Sequence, residues 1–300
     1  MAGKKRTRRI TIIRRIVQAA FGLGIIGTSL AHNLFAESTG AAIASAEALC
    51  PFGAIETLYR YFSSGMVLSK LHLSNLVVGV AVLAGLLIAG NAFCGWICPF
   101  GALQGVLDWI RRKLRLPAVN VPARLDAVLR YGRFVVLGLI IYATISSAKL
   151  WFADFDPFRT IFGLGWLFEF NLAEAWPAYL IAVLFLIGAL FVPRFWCKYA
   201  CPLGAVLSVT QHLSFLRIRR NAASCKGCAI CETPCPVGIK VAEAKDRVSV
   251  NCIGCLECVE VCPRKGALEL QLAPVWLPMP RRPEPPRPPE PQFNLPLSGK

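Results

Sequence analysis

Eight of the thirteen cysteines in this 300-residue chain lie between Cys225 and Cys262, in two copies of one pattern. The first copy reads CKGCAICETPCP at 225–236 and the second reads CIGCLECVEVCP at 252–263, so both follow C-x₂-C-x₂-C-x₃-C-P. Three thiolates on one tight loop can cap one face of an iron–sulfur cubane, while the fourth cysteine reaches a second cubane. The spacing therefore predicts two [4Fe–4S] clusters, in a compartment that keeps thiols reduced.

The pattern also assigns four ligands to each cluster. Cluster 1 is predicted to use Cys225, Cys228, Cys231 and Cys262, and cluster 2 to use Cys252, Cys255, Cys258 and Cys235. The alternative is structural zinc, but zinc sites favour paired C-x₂-C knuckles separated by longer spacers. Gly227 and Gly254 are expected to let the loop backbone approach the clusters.

Much of the remaining chain is apolar. Hydrophobic residues make up 55% of the sequence and charged residues 17%, whereas a soluble protein carries about 25% charged residues. Four stretches are long enough for membrane spans of about 20 residues, namely 16–36, 71–93, 131–150 and 175–193. The first could also be a signal peptide, but we expect a retained helix. Shorter apolar stretches at 97–107, 160–168 and 199–216 could be half-helices, re-entrant segments or interfacial helices.

Basic residues predict how these spans are oriented. Residues 1–15 contain seven basic and no acidic residues, and the segment 95–133 is also rich in arginine. The loops 33–72 and 149–176 are poor in basic residues. The positive-inside rule therefore places the N-terminus and everything after Arg194 in the cytoplasm. Because the net charge of +16 flanks apolar segments, it does not indicate a nucleic-acid partner.

A second cysteine motif occurs twice at the ends of apolar stretches. It reads FCGWICPFGAL around Cys94 and Cys98, and WCKYACPLGAV around Cys197 and Cys201. Both stretches are predicted to run from outside to inside, so the four cysteines should meet at one depth. We expect an additional iron, iron–sulfur or other metal centre there. The alternative is that these cysteines are buried thiols that pack as small hydrophobic side chains.

Five further positions have weaker signals. Cys50 lies in CPFGAIE at 50–56 without a partner cysteine, so it could be redox-active or simply precede a helix that begins at Pro51. His32 and His72 are predicted at outer helix ends, where haem ligation or a hydrogen bond to quinone competes with ordinary solvation. Asp154 and Asp156 could accept protons near the outer face, or be ordinary loop charges.

With both motifs, the chain resembles the NapH-type and NosR-type membrane polyferredoxins over about residues 10 to 270, and residues 221–270 resemble bacterial two-cluster ferredoxins. The resemblance implies an α-helical membrane bundle with a C-terminal α+β ferredoxin domain, located in the bacterial inner membrane. It implies electron transfer between cytoplasmic [4Fe–4S] clusters and a quinone or an outer redox partner. Ferredoxin-like, flavoprotein or cytochrome subunits are the expected partners. The alternative is an accessory protein that reduces a metal or thiol while another redox enzyme matures.

The domain organisation follows from these segments. We expect a basic N-terminus at 1–15, a transmembrane domain at 16–216, a ferredoxin domain at 217–272 and a disordered, proline-rich tail at 273–300. The outer flavin domain of NosR-type proteins has no counterpart in these residues, so onward transfer should need another subunit. A nucleophile–base pair and a phosphate loop are also absent from the sequence, which argues against hydrolase or kinase chemistry.

Overall fold

A computed structural model shows a helical N-terminal two thirds followed by a small domain with two strands. The structure describes residues 9–39, 80–81, 84–85, 87–119, 121–147, 155–168, 172–244, 247–264 and 266–272. The predicted tail at 273–300 and three candidate site residues, Cys50, His72 and Asp154, lie outside the described residues.

The helical part contains ten described helices before the first strand. They are α1 (Arg9–Thr39), α2 (Ala92–Trp96), α3 (Pro99–Lys113), α4 (Ala123–Leu129), α5 (Gly132–Ser147), α6 (Pro157–Phe162), α7 (Gly165–Phe168), α8 (Leu172–Phe191), α9 (Phe195–Tyr199) and α10 (Pro202–Thr210). Residues 80–81, 84–85 and 87–89 are helical as well. The C-terminal part contains β1 (Leu216–Arg220), a 3₁₀ helix (Val241–Glu243), α11 (Glu257–Val261) and β2 (Leu268–Leu272).

Three helices begin in the same way, with proline at the first helical position. They are α3, α6 and α10, which begin at Pro99, Pro157 and Pro202. Proline is favoured there because the missing N–H would have had no partner within the helix. The preceding residues are all extended, with ψ values of 121° at Cys98, 112° at Asp156 and 115° at Cys201.

Two helical segments are long and apolar enough to cross a membrane. They are Arg9–Phe35 within α1, and Ala123–Ser146, which joins α4 to α5. A third apolar segment, Ala175–Phe191 in α8, is shorter. Many large apolar side chains on these helices point outward, including Leu23, Leu139 and Leu184. Apolar surface of this extent is typical of contact with lipid or another protein.

The four predicted spans therefore meet different outcomes. The spans predicted at 16–36 and 131–150 overlap the two long apolar segments, which begin earlier than expected, at Arg9 and Ala123, and end at Phe35 and Ser146. The span predicted at 175–193 is the shorter apolar helix. The span predicted at 71–93 begins outside the described residues, and its helix is interrupted at Gly90 and Asn91 before α2 starts.

Phe100 lies at the centre of the helical core. Its ring contacts the rings of Phe158, Phe162 and Phe185, with centroid distances of 5.7, 5.6 and 4.9 Å. These contacts join α3, α6 and α8 in edge-on arrangements that aromatic pairs prefer. The segment around α6 therefore enters the bundle instead of lying on its surface.

The C-terminal domain is held together by one antiparallel strand pair and a small apolar core. β1 pairs with β2 so that Leu216 lies opposite Leu272 and Ile218 opposite Leu270. Ile218 is buried with Val241 and with cysteine side chains of both motifs. So small a core depends on whatever the cysteines bind.

The N-terminus of α1 docks on this domain through two glutamates of α11. Glu260 accepts hydrogen bonds from the N–H groups of Ile10 and Thr11, at 2.7 and 3.1 Å. Glu257 forms an ion pair with Arg14. The first N–H groups of a helix have no partners within the helix and favour a nearby negative charge. The beginning of α1 and the C-terminal domain therefore lie at the same end of the bundle.

The second cysteine loop packs against α2. Trp96 Nε1 donates to the Gly254 carbonyl at 3.0 Å, and Asn91 Nδ2 donates to the Val250 carbonyl at 2.8 Å. Gly254 has a φ of +60°, and a Cβ added there would lie 3.0 Å from the Ala92 Cβ. Both the backbone angle and the close approach therefore favour glycine at this position.

We predict that Glu260→Ala weakens the attachment of α1 to the C-terminal domain. Two backbone N–H groups and the Thr11 hydroxyl lose their acceptor, and loss of a helix cap costs about 1–2 kcal/mol. The apparent melting temperature of the detergent-solubilised full chain should therefore fall. Glu243→Ala is the matched control, because Glu243 forms an exposed ion pair with Lys240 that contributes little. Equal melting temperatures for the two variants would contradict the proposed cap.

Candidate iron–sulfur sites

The four helix-end cysteines line a single cavity. Cys94 lies in α2 and Cys197 in α9, whereas Cys98 and Cys201 immediately precede α3 and α10. All four contribute to the lining of this cavity, which we call the helix-end cavity. Phe100, Trp196 and Leu207 provide part of its apolar wall. The structure thus brings together the four residues that the duplicated sequence motif singled out.

The two half-repeats have matching backbone geometry. The N–H of Cys98 donates to the Phe93 carbonyl at 3.0 Å, and the N–H of Cys201 donates to the Trp196 carbonyl at 2.8 Å. Each motif therefore consists of one short helical turn, an extended cysteine and a proline that begins the next helix. Because α3 and α10 both start at the helix-end cavity, their N-terminal ends favour negative charge there.

The two half-repeats differ at Gln104, which lies next to one of the four cysteines. Its counterpart in the second half is Leu207, and both side chains are 1% exposed. Gln104 Nε2 donates to the sulfur of Cys197 at 3.1 Å, so a residue of one half-repeat contacts a cysteine of the other. Hydrogen bonds to sulfur are one of the ways in which proteins adjust iron–sulfur potentials. Sequence reasoning missed Gln104, although a comparison of the two copies would have revealed it.

Cationic side chains, two of them buried, line or adjoin the same cavity. Arg133 and Lys198 contribute to its lining, and buried Arg194 donates to the Cys94 carbonyl at 3.3 Å. Arg133 also donates to the Asn251 side chain at 2.7 Å, while its Nε has no hydrogen-bond partner among the described residues. A buried cation needs compensating negative charge. Four thiolates on an iron–sulfur core would supply that charge.

The eight cysteines of the C-terminal domain separate into two groups of four. One cavity, which we call the first ferredoxin cavity, is lined by Cys225, Cys228, Cys231 and Cys262. The second ferredoxin cavity is lined by Cys252, Cys255, Cys258 and Cys235. In both groups the fourth cysteine comes from the other motif. This is the grouping that the sequence pattern predicts for the two clusters.

The two cysteine loops share an unusual backbone. Gly227 and Gly254 both have positive φ values, of 67° and 60°. Two positions further on, Ala229 and Leu256 also have positive φ values, although each has a side chain. Such turns direct successive N–H groups toward one point and form anion-binding nests, including those of iron–sulfur sites.

The surroundings of these thiols shift their pKa values in different directions. Burial raises the pKa of Cys252 to about 12 and also raises the pKa of Cys258. Burial acts in the same direction on the half-buried Cys225, but the Gly227 N–H and Arg220 outweigh it and lower the pKa of that thiol. Because iron binds the thiolate, loading the second ferredoxin cavity must displace protons.

The donor sets fit iron–sulfur clusters. Each of the three cavities offers four thiols, which is the usual ligand set of a [4Fe–4S] cluster. Among the described residues, no group of three or more Cys, His, Asp or Glu side chains converges tightly enough for a single metal ion.

The three cavities adjoin one another in a fixed order. Val237 and Ile253 line both the helix-end cavity and the second ferredoxin cavity. Val241 lines both the second and the first ferredoxin cavities. The second ferredoxin cavity therefore lies between the other two.

Asp156 is in a different place from the one predicted. The sequence placed it near the outer face, but Asp156 lines the helix-end cavity with the cysteines. Its side chain accepts the Phe158 N–H at 2.9 Å and so caps α6. The prediction was wrong because α6 enters the bundle, where Phe158 packs on Phe100. The similarity of Asp-Pro-Phe at 156–158 to Cys-Pro-Phe at 98–100 was the available signal.

The remaining candidate that the structure describes is His32. It lies in α1 and is half-buried, and it is absent from the described linings of the three cavities. A role for His32 with haem or quinone stays a prediction.

Two family models match the chain. One, described as a 4Fe-4S binding domain, matches twice, at residues 71–117 and 174–221, so each match contains one helix-end cysteine pair. The other, described as a 4Fe-4S dicluster domain, matches residues 217–263 and contains the eight remaining cluster cysteines. No solved structure matches the chain.

Several curated proteins are similar over more than half of the chain. An uncharacterized protein of Methanocaldococcus jannaschii is 32% identical over 211 residues, covering 69% of this chain and 75% of that protein. The ferredoxin-type protein NapH of Haemophilus influenzae is 30% identical, covering 62% of this chain and 64% of NapH. The regulatory protein NosR of Pseudomonas aeruginosa is 33% identical and covers 58% of this chain, which spans only 24% of NosR.

The resemblance predicted from the cysteine motifs is thus confirmed by the matched iron–sulfur domains and by the relatives. This chain belongs to the family of membrane ferredoxin-type proteins that includes the Methanocaldococcus jannaschii protein, NapH and NosR.

Proposed function

We propose that this protein carries electrons along three [4Fe–4S] clusters, between the exposed side of its ferredoxin domain and a quinone or redox partner in the membrane. The observation that carries the proposal is the adjoining order of the three cysteine-lined cavities. Each cavity supplies four thiols. Val237 and Ile253 line both of one pair of neighbouring cavities and Val241 lines both of the other pair, which supports short electron transfers between neighbours.

In this proposal, different residues bind the clusters, balance their charge and exclude water. When bound, the clusters supply one-electron redox chemistry. The twelve cysteines hold them, and the loop N–H groups around Gly227 and Gly254 stabilise their negative charge. Around the helix-end cavity, Arg133 and Arg194 offset the buried negative charge. The apolar wall formed by Phe100, Trp196 and Leu207 excludes water.

The third cluster is supported by two independent features. The 4Fe-4S binding domain model matches both half-repeats, and the structure brings the two cysteine pairs to one cavity. A site made from two half-repeats explains why each copy carries only two cysteines. Buried structural thiols would not need the matching backbone, the donor from Gln104 or the surrounding cations.

The proposed setting is the bacterial inner membrane, crossed by four spans. Two of these are the long apolar helices, and the others are the α8 segment and the segment that begins near residue 71. The contacts between α1 and α11 support a retained first helix whose beginning lies on the same side as the ferredoxin domain. Arg111, Arg112 and Lys113 at the end of α3 support a cytoplasmic location for that side.

The proposed exchange with quinone can be tested in proteoliposomes that contain the anaerobically purified full chain. Duroquinol should reduce the clusters, or duroquinone should reoxidise clusters reduced with dithionite, as followed by visible absorbance and EPR. The double variant Cys98→Ser/Cys201→Ser should lose this exchange, while dithionite still reduces the two ferredoxin clusters. Reduction of added Cu²⁺ or Fe³⁺ by the chain, without any exchange with quinone, would contradict the relay and favour the accessory role.

Gln104→Leu tests whether the helix-end cavity holds a redox centre. Leucine is the residue at the equivalent position of the second half-repeat, so the change should be tolerated sterically. It removes the N–H···S hydrogen bond to Cys197, which stabilises the more negative, reduced state. In an EPR-monitored redox titration, one signal should shift to lower potential while the signals of the two ferredoxin clusters stay fixed. If no signal shifts, or if all of them shift together, this assignment is wrong.

A further inference from the structure

The first ferredoxin cavity contains the most exposed of the described cluster cysteines. Cys228, which lines it, is the only exposed cysteine among the described residues. The cavity also lies farthest along the row from the helix-end cavity, because the second ferredoxin cavity separates the two. A soluble redox partner can therefore approach a cluster ligand most closely here.

The rim of this opening has a definite charge. Three basic residues line it, namely Arg220, Lys226 and Arg264, and the described lining contains no acidic residue. The nearby carboxylate of Glu232 accepts the Ala242 N–H at 2.9 Å, so this hydrogen bond holds it against the backbone. The Arg220 side chain is also held against the backbone, because it donates to the Ala244 carbonyl at 2.7 Å. Lys226 and Arg264 are left to present positive charge around the opening.

The centre of the same surface is apolar. Ile230 is 50% exposed and lies between Cys228 and Cys231 on the first cysteine loop. Ala229 beside it is also exposed and has a φ of +55°. An apolar centre with a polar rim is the usual arrangement of a protein-binding surface.

We propose that residues Lys226, Cys228, Ile230 and Arg264 form the docking surface for a soluble one-electron carrier whose redox group is surrounded by carboxylates. The inference rests on the proposed function, because it requires cluster 1. One electron passes between the carrier's reduced group and the oxidised cluster, and no atom or proton moves with it. Opposite charges steer such encounters and raise association rates by about 10 to 10³-fold.

The test uses the full chain in nanodiscs and a reduced, acidic plant-type ferredoxin as the carrier. Stopped-flow absorbance gives the second-order rate constant for reduction of the chain. This rate constant should fall steeply with rising ionic strength. In Lys226→Glu/Arg264→Glu at low ionic strength it should fall at least about tenfold.

Lys240→Glu is the matched control. Lys240 is a basic residue of the same domain, its side chain is 66% exposed, and it is absent from the lining of the opening. Reversing the charge at Lys240 should change the rate constant less than about twofold, because this residue lies outside the docking surface. Lys226→Glu alone serves if the double variant loses cluster 1, and it should show a smaller loss in the same direction.

Photoreduced 5-deazariboflavin, a small neutral reductant, separates failure of docking from failure of the proposed function. It should reduce the wild type and all variants at similar rates, with the EPR signal of cluster 1 intact. Equal rates of transfer from the acidic ferredoxin to the rim variants and to Lys240→Glu would overturn the docking surface. So would a lack of transfer from this ferredoxin to a wild-type chain that deazariboflavin reduces. A wild-type chain without the cluster 1 signal would instead overturn the proposed function.

Discussion

The structure depends on the contact between the second cysteine loop and the cysteine-bearing helix ends. This contact brings the Gly254 loop against α2, and the hydrogen bonds from Trp96 and Asn91 hold it there. Ile253, on the same loop, forms part of the wall of two cavities. Together with the contacts of α1 with the two glutamates of α11, this contact joins the ferredoxin domain to the helical part. The second ferredoxin cavity therefore adjoins the helix-end cavity.

Electrostatics explains why the helix-end cavity can exist within an apolar bundle. Arginine is costly to bury, yet Arg133 and Arg194 are both buried close to the four cysteines. The N-terminal ends of α3 and α10 add positive potential at the same point. A negatively charged group in the cavity would turn these costs into favourable interactions. Bound cluster and protein would then stabilise each other, as in other metal-dependent folds.

Much of the site was predictable because cysteine spacing is a strong local signal. The grouping of Cys262 with the first motif and Cys235 with the second followed from the pattern alone, and the structure places these residues together. The convergence of Cys94 with Cys197 followed from the repeat and from basic-residue topology. The resemblance to NapH-type and NosR-type proteins also held, since it rested on both motifs together.

Other features depend on long-range packing that no local pattern reveals. Asp156 reaches the helix-end cavity only because Phe158 is drawn into the aromatic core around Phe100. Gln104 matters because a residue 93 positions away, Cys197, accepts its N–H. The span predicted at 131–150 begins earlier because α4 and α5 form one apolar segment, although Arg130 lies between them in the sequence. Such contacts appear only when the bundle is assembled.

The iron content of the protein distinguishes three clusters held by twelve cysteines from two clusters held by eight. Iron and acid-labile sulfide should be quantified in anaerobically purified full chain, in Cys98→Ser/Cys201→Ser and in Cys50→Ser, the variant of the one cysteine outside the three sets. If three clusters are present, the wild type and Cys50→Ser should contain about twelve irons per chain, and the double variant about eight. About eight irons in all three proteins would contradict the presence of a third cluster.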